Sequence, residues 1–338
     1  MNSYGWPAWR IYLLLLPLAS ALFVLDLATG PATVNVWHGV LDVLQHRLSV
    51  ESMVLLDVRL PRALLAALVG GTLGFSGAAL QGLLRNPLAE PGIIGVSNFA
   101  ALGAVIVFYF GFADLAWYML PLGGLLGALV SVLLLLGLTS RNSNLLTLIL
   151  AGVAINAIGG ALIALALNFA PNPYAMQEIV FWLLGSVTNR SINDVWIALP
   201  FLIVGWLMLL SCGRFLNGLS LGEETAHTLG FHVTRQRWVL VLGVAACVGA
   251  AVAVCGNIGF VGLVVPHVMR PLVGSEPRRL LAVSFWGGVV LLLLADIGVQ
   301  VLSLEGDLKL GVVTALVGAP FFLWLILRSR SAASGALV

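Results

Sequence analysis

Few ionisable residues are available for chemistry or recognition, and one pair of arginines among them has a regular spacing. Arg59 and Arg62 lie three positions apart, so they share one helical face if Pro61 permits a helix there. Two unpaired arginines at the end of an apolar segment could receive carboxylates from a docking protein. The alternative is that both side chains snorkel to the membrane interface.

A second candidate is the acidic pair Glu223 and Glu224. The run Ser220-Leu-Gly-Glu223 has the form of a capping box, which predicts that a helix begins there. Gly230 is suited to end that helix. The pattern therefore predicts a short surface helix of the kind that inserts into a groove on a partner protein. An ordinary surface helix between two spans is the alternative.

Motifs for nucleotide hydrolysis and metal binding do not occur in the sequence. The only lysine, Lys309, is followed by Leu310, whereas a P-loop requires Lys followed by Ser or Thr. The three cysteines, Cys212, Cys247 and Cys255, lack metal-ligand spacing and are expected to be small core residues. We therefore expect no ATPase site of that type, no bound metal and no cofactor.

The composition requires a membrane to accommodate these residues. Of 338 residues, 60% are hydrophobic and 9% are charged, against about 25% charged in soluble domains. Because a span needs roughly 20 apolar residues, the chain has room for about ten. We expect a single all-α transmembrane domain over residues 1–338. The net charge of +2 gives no indication of nucleic-acid binding.

Hydropathy places the spans between polar breaks. The first run, residues 11–28, is interpreted as an uncleaved helix and not as a signal peptide. A surface helix is expected between spans five and six, and the longest loop covers residues 211–237. The remaining spans are expected near residues 62–84, 93–110, 117–138, 145–168, 195–210, 238–257, 259–272 (broken), 280–302 and 311–327.

The basic residues predict an orientation. With both termini in the cytoplasm, 11 of the 16 basic residues lie inside, which is the direction of the positive-inside rule. Only Asp194 and Asp296 are expected near span ends, and no paired carboxylates are expected within the membrane. Because ion-coupled carriers generally place ionisable groups there, this pattern argues against such a carrier.

A weak internal repeat supports the same arrangement. A shift of 179 residues pairs Ala66, Ala67, Val69, Gly70, Gly77, Leu84, Pro87 and Gly95 with Ala245, Ala246, Val248, Gly249, Gly256, Leu263, Pro266 and Gly274. The predicted topology starts the two copies on opposite sides of the membrane. Inverted repeats of this kind are common in transporters.

Eight motifs together resemble one family. They are RLPR (59–62), the run LVGGTLGFSGAALQGLLRNPLAEPGIIGVSN, LAGVAIN (150–156), FWLLGS, LSLGEETAHTLG, GFVGLVVPHVMR, LLLLAD and GVVTALVGAPFFLWL. In this order they resemble the permease subunits of bacterial ABC importers for iron-siderophores, haem and vitamin B12, over residues 50–328. The resemblance implies a type II importer permease, a homodimer with its pathway at the dimer axis, in the inner membrane.

The resemblance also assigns partners and residues. It implies separate cytoplasmic ATPase subunits and a periplasmic binding protein. Arg59 and Arg62 match the docking arginines, and Gln300 stands where the vitamin B12 member has another arginine. Coupling to the ATPase falls on Leu219, Ser220, Leu221, Gly222, Glu223, Glu224, Thr225, Ala226, Leu229 and Gly230. The pathway wall falls on Leu150, Ala151, Gly152, Ala154, Ile155 and Asn156.

The expected cargo is an iron chelate, either a siderophore or haem. Cobalamin or another chelate is the alternative, and an ion-coupled carrier is the remote one. The sequence predicts a structural role for His267, which follows Pro266 in a family motif. It leaves open whether Glu90 pairs with Arg85 or faces the ATPase.

Overall fold

The computed structural model describes residues 8–30, 34–139, 145–170, 172–274, 276–302 and 308–334. Within these residues the fold is entirely helical. Its α-helices are α1 (Ala8–Ala28), α2 (Val36–Leu44), α3 (Val50–Met53), α4 (Leu60–Leu84), α5 (Val96–Tyr109), α6 (Met119–Thr139), α7 (Leu145–Asn168), α8 (Pro173–Leu183), α9 (Ile192–Ser211), α10 (Gly213–Ser220), α11 (Glu223–Thr228), α12 (Val233–Cys255), α13 (Val261–Met269), α14 (Pro277–Leu302) and α15 (Leu310–Ser334).

Seven helical segments in the described residues are long and apolar enough to cross a membrane. Three shorter apolar helices, which include α5 and α13, correspond to the other predicted spans. The all-α membrane fold is confirmed, while the total of ten spans stays a prediction. The span predicted near residues 62–84 begins earlier than expected, because α3, a π-helix (Val54–Arg59) and α4 run on as one 35-residue helical segment. Arg141 of the predicted charge pattern lies outside the described residues.

The helix α4 is the centre of the fold, and its small residues explain why. A Cβ added at Gly70 would lie 2.4 Å from the Gly288 carbonyl oxygen, and one at Gly74 would lie 2.2 Å from that of Ser284. A Cβ at Gly77 would lie 1.9 Å from the Gly262 oxygen. Helices associate closely in a membrane where small residues let the backbones approach. Glycine is therefore required along α4 by its contacts with α14 and α13.

The residue pairs of the predicted repeat fall in two long helices only over their first part. Ala66 to Gly70 and their partners Ala245 to Gly249 lie inside α4 and α12. Beyond them the pairing fails, because Gly77 is still within α4 whereas Gly256, at φ +71°, ends α12. Both α4 and α12 are nevertheless followed by a shorter helix that starts after a residue of positive φ. That residue is Gly95 before α5 and Phe260 before α13.

Candidate functional site

The docking residues predicted from sequence meet at the end of the molecule where α4 begins and α1 and α14 finish. Arg62 forms a two-pronged ion pair with Asp296, with Nε–Oδ2 and Nη2–Oδ1 distances of 2.7 Å and 2.9 Å. Gln300 Nε2 donates to Oδ1 of Asp26 at 2.7 Å and to Oδ2 of Asp296 at 3.1 Å. We call Asp26, Arg59, Arg62, Asp296 and Gln300 the Arg62 cluster.

Arg59 belongs to this cluster by position, but it bonds to backbone. Its Nη1 donates to the carbonyl oxygens of Leu27 and Ala28 at 2.9 Å and 3.3 Å, and only 7% of the residue is exposed. Those carbonyls belong to the last turn of α1, where helix carbonyls lack intrahelical donors. Arg59 therefore ties the end of α1 to the start of α4.

Two expectations from the sequence are wrong at this cluster. The arginines were expected to be unpaired, yet Arg62 is paired with Asp296 and Arg59 is buried against α1. No paired carboxylates were expected in the membrane, yet Asp26 and Asp296 share one amide donor. Asp26 is 270 positions away from Asp296 in the chain, so no local pattern could have joined them. Asp194, in contrast, lies at the start of α9 and completes a capping box with Ser191.

The opposite end of the molecule carries the predicted coupling residues. They lie on α10, α11 and the turn between them, next to the start of α12. Leu219 and Ala226 are buried, while the side chains of Leu221 and Leu229 are 70% and 59% exposed. Glu223, Glu224, Ser220 and Gly230 are exposed, and Gly222 and Thr225 are half-buried.

The start of α11 differs from the sequence prediction. Ser220 closes α10 by donating its hydroxyl to the Asn217 carbonyl at 2.7 Å, so it does not cap α11. The N-cap is Gly222 at φ +118°, without a side-chain cap. A turn of two residues between α10 and α11 needs this backbone conformation, which glycine adopts without steric cost. The capping-box prediction was therefore wrong, although a helix does begin at Glu223.

The predicted end of this helix is confirmed. Gly230 has φ +86°, its N–H donates to the His227 carbonyl, and the Phe231 N–H donates to the Ala226 carbonyl. These two bonds form a Schellman motif, the usual helix end with glycine after the C-cap. The short helix is thus fixed at its C-terminal end by its own backbone.

The glutamates of α11 are held differently from each other. Glu223 Oε1 accepts from Arg237 Nη2 at 3.2 Å, while Glu224 makes no ion pair among the described residues. Beside them, Arg214, Asn217, Gly218, Leu221, Leu229, Phe231 and Arg278 line an open groove of about 400 Å³. Asn217 fixes the start of α14, since its Oδ1 accepts from the Arg278 N–H at 2.9 Å. This end therefore combines exposed leucines with two exposed arginines.

The predicted pathway residues on α7 separate into two faces. Ala151, Gly152 and Ile155 are buried, and a Cβ on Gly152 would lie 2.4 Å from the Ile93 carbonyl oxygen. Leu150 and Ala154 are exposed. Asn156 is half-buried and lines a cavity of about 360 Å³ midway along α7. Half of the predicted wall is thus packing surface against the segment before α5.

Glu90 has a defined partner in the same cavity. Its Oε1 accepts from the backbone N–H of Phe260 at 2.8 Å, and Phe260 has φ +67° just before α13. It does not pair with Arg85, which is exposed at the end of α4. Gln81 adds a second link, because its amide nitrogen lies 3.4 Å from the carbonyl oxygens of both Ala89 and Leu263. Both residues therefore join the α4–α5 connection to α13.

His267 and the three cysteines were assigned structural roles from sequence. His267 packs edge-to-face on Phe321 of α15, at 5.8 Å between ring centroids. The cysteines Cys212, Cys247 and Cys255 are free and fully buried.

Residues that sequence reasoning missed are Asp26, Gln81, Ser97 and Asn98. Only the polarity of Asp26 and Gln81 within apolar runs gave a signal for them.

Comparison with known proteins places the chain in a family. The FecCD transport family model matches residues 18–328. The hemin transport system permease protein HmuU of Yersinia pestis is 41% identical over 83% of this chain and 85% of its own length. The vitamin B12 import system permease protein BtuC of Vibrio vulnificus is 40% identical over 84% and 86%.

A solved structure agrees with these sequence matches. It is described as an inward-facing conformation of "a putative metal-chelate type ABC transporter". It superposes with a TM-score of 0.83 at 32% identity, over 94% of this chain and 99% of the other. Since the family model, close relatives and a solved fold agree over most of its length, this chain belongs to the FecCD transport family.

Proposed function

We propose that this protein is the membrane permease subunit of an ABC importer that carries an iron chelate, a siderophore or haem, across the bacterial inner membrane. The observation that carries this proposal is the 41% identity to a hemin permease over most of both chains. The all-helical fold with a polar cavity midway along α7 is compatible with such cargo. Vitamin B12 is the second candidate, because a cobalamin permease is 40% identical. Identity alone does not separate the two.

We propose that separate ATPase subunits drive transport through α10 and α11. The support is geometric, since Leu221, Leu229 and Glu224 are exposed beside a groove at one end of the molecule. The one lysine, Lys309, is not followed by the Ser or Thr of a P-loop. ATP hydrolysis would therefore take place on another chain. Motion of α11 would reach α12 through the Glu223–Arg237 contact.

We propose that the opposite end, with the Arg62 cluster, receives a periplasmic binding protein. Arg59, Arg62 and Gln300 do lie together there, which supports one recognition surface. A carboxylate on the partner would have to compete with Asp296 for Arg62. In this arrangement both chain termini are cytoplasmic, and two copies of the permease form the pathway between them, with Asn156 and the exposed residues of α7 on its wall.

The proposal is tested by reconstituting the permease with its ATPase and binding protein in proteoliposomes. Uptake of ⁵⁵Fe-labelled hydroxamate chelate, ⁵⁵Fe-haem and ⁵⁷Co-cyanocobalamin is compared with and without ATP. We expect ATP-dependent uptake of one iron chelate, whereas uptake of cobalamin alone would establish the second candidate.

The same assay distinguishes an ABC importer from an ion-coupled carrier. Among the described residues, the buried pair Asp26 and Asp296 is a feature that an ion-coupled carrier would share. Uptake that continues without ATPase subunits and stops when a protonophore is added would contradict the importer proposal. Unchanged uptake with the protonophore and complete dependence on ATP would support it.

A further inference from the structure

The cavity midway along α7 is lined by more hydrogen-bonding groups than the fold uses. Ser97, Asn98, Asn156, Asn257 and Glu90 contribute polar atoms to a space of about 360 Å³. This volume is at the small end of ligand pockets, which cover roughly 300–1,000 Å³. It suits one substituent of a large chelate and not a whole chelate. We call it the Ser97 cavity.

Ser97 supplies the first observation that points to a ligand. It is 8% exposed, lines the cavity and forms no side-chain hydrogen bond with the described residues. Its hydroxyl is therefore available to a group inside the cavity. The carboxamides of Asn156 and Asn257 likewise bond to no described residue. Asn98, in contrast, is fixed by donating to the Asn156 carbonyl at 3.0 Å.

The start of α5 is the second observation. This 14-residue helix begins at Val96, next to Ser97, and no described side chain caps it. The first N–H groups of a helix have no intrahelical acceptor and carry the positive end of its dipole. The neighbouring α13 starts at the same cavity, but there the Glu90 carboxylate already accepts from Phe260 N–H. Beyond Phe260 neither helix has a side-chain cap, and at α5 no side chain accepts from any of the first N–H groups.

We propose that the Ser97 cavity binds an acceptor oxygen of the passing chelate, such as a carboxylate, hydroxamate or amide oxygen. The ligand oxygen would accept from the Ser97 hydroxyl and the first turn of α5, with the Asn156 and Asn257 amides beside it. This inference rests on the proposed function, since it assigns the cargo a binding step midway across the membrane.

Hydrogen–deuterium exchange tests the site without depending on transport. The full permease in nanodiscs is exposed separately to ferric haem, a ferric trihydroxamate chelate and cyanocobalamin. We expect at least one of them to slow exchange of the amides of residues 96–98 in the wild type. The chelate that protects identifies whether carboxylate, hydroxamate or amide oxygens are bound. No protection by any of the three would overturn the proposal.

Matched variants define what the protection depends on. Ser97→Ala should raise the half-saturating chelate concentration about fivefold, as expected for one hydrogen bond of about 1 kcal/mol. Ser131→Ala is the control, because Ser131 is also buried without a hydrogen-bond partner but does not line the cavity. Equal shifts in both variants would contradict a role for Ser97.

A plugging variant gives an independent result. A Cβ at Gly92, which lines the cavity, would meet no atom within 4 Å, so Gly92→Leu can project into open space. It should abolish the protection, whereas Gly298→Leu, at an equally open site in another crevice, should retain it. ATP-driven uptake by the wild type without protection at residues 96–98 would refute the cavity but leave the importer intact. Absent uptake by the wild type would refute the importer.

Discussion

The two ends of the molecule carry charge in opposite ways. At the Arg62 cluster, guanidinium, carboxylate and amide groups from α1, α4 and α14 satisfy one another, and Asp296 is fully buried. On α11, Glu223 and Glu224 are both exposed, and Glu223 makes one long contact with Arg237. A charge already paired within the chain mainly holds helices together. An exposed charge remains available to another chain.

The largest effect should come from reversing both exposed glutamates. Glu223→Arg with Glu224→Arg should lower the ATPase activity stimulated by the binding protein at least tenfold, an order-of-magnitude estimate for losing an interface hot spot. Glu224→Arg alone, at the glutamate without an ion pair among the described residues, should leave the melting of the isolated permease nearly unchanged. Normal stimulation in the double variant would sink the coupling assignment, and Arg235→Glu, an exposed change on the neighbouring helix, serves as a charge-reversal control.

The next largest effect should be on stability at the other end. Arg62→Ala leaves Asp296 as a buried charge without its main partner, which costs about 3–5 kcal/mol. Thermal unfolding in detergent is the measurement. Arg279→Ala is the control, since its ion pair with Glu276 is 47% exposed on the arginine side and is worth about 0–1 kcal/mol. Similar losses in the two variants would show that the Arg62 cluster is not a structural tie.

A smaller loss is expected for Gln300→Ala. This change removes the amide that both Asp26 and Asp296 accept from, so a buried acceptor is left unsatisfied at about 1–3 kcal/mol. Gln236→Ala, at a half-buried position on α12, provides the control. A melting temperature unchanged by Gln300→Ala would show that this amide contributes no measurable stability.

The smallest effect should follow Glu223→Gln. Arg237 is buried, but the contact is long and the glutamine oxygen can still accept from the guanidinium, so the loss should be about 1 kcal/mol. Stimulated ATPase activity should fall by a larger factor than this stability change implies if Glu223 transmits motion to α12. A large drop in melting temperature would show that Glu223 stabilises the fold as the Arg62 cluster does, which would contradict the contrast between the two ends.

Binding of the periplasmic protein tests whether the arginines of the Arg62 cluster are recognised by a partner as well as holding helices together. Arg59→Glu should weaken binding of the periplasmic protein, and added salt should weaken binding by the wild type, because salt screens the long-range attraction between the partner's carboxylates and this end of the permease. The variant should also unfold more readily, since Arg59 is buried against the end of α1. Affinity independent of salt, measured by titration, would count against recognition by these arginines.

The sequence by itself determined the membrane class, the helix positions and the family. A span of about 20 apolar residues is a local property, so α4, α7 and α12 could be located from hydropathy alone. The end of α11 at Gly230 was predictable for the same reason, because a Schellman motif involves residues within one turn. The eight motifs indicated the family because their residues and their order are properties of the sequence.

Only the tertiary structure decided which polar groups meet. Asp26 and Asp296, or Glu90 and Phe260, are far apart in the chain and come together through the packing of α1, α4, α13 and α14. That packing depends on glycine contacts such as Gly77 with Gly262, where a Cβ would lie 1.9 Å from the carbonyl oxygen and keep the helices apart. A sequence can show that an arginine lies at a helix end. Whether it faces a partner or a buried aspartate depends on which helix lies beside it.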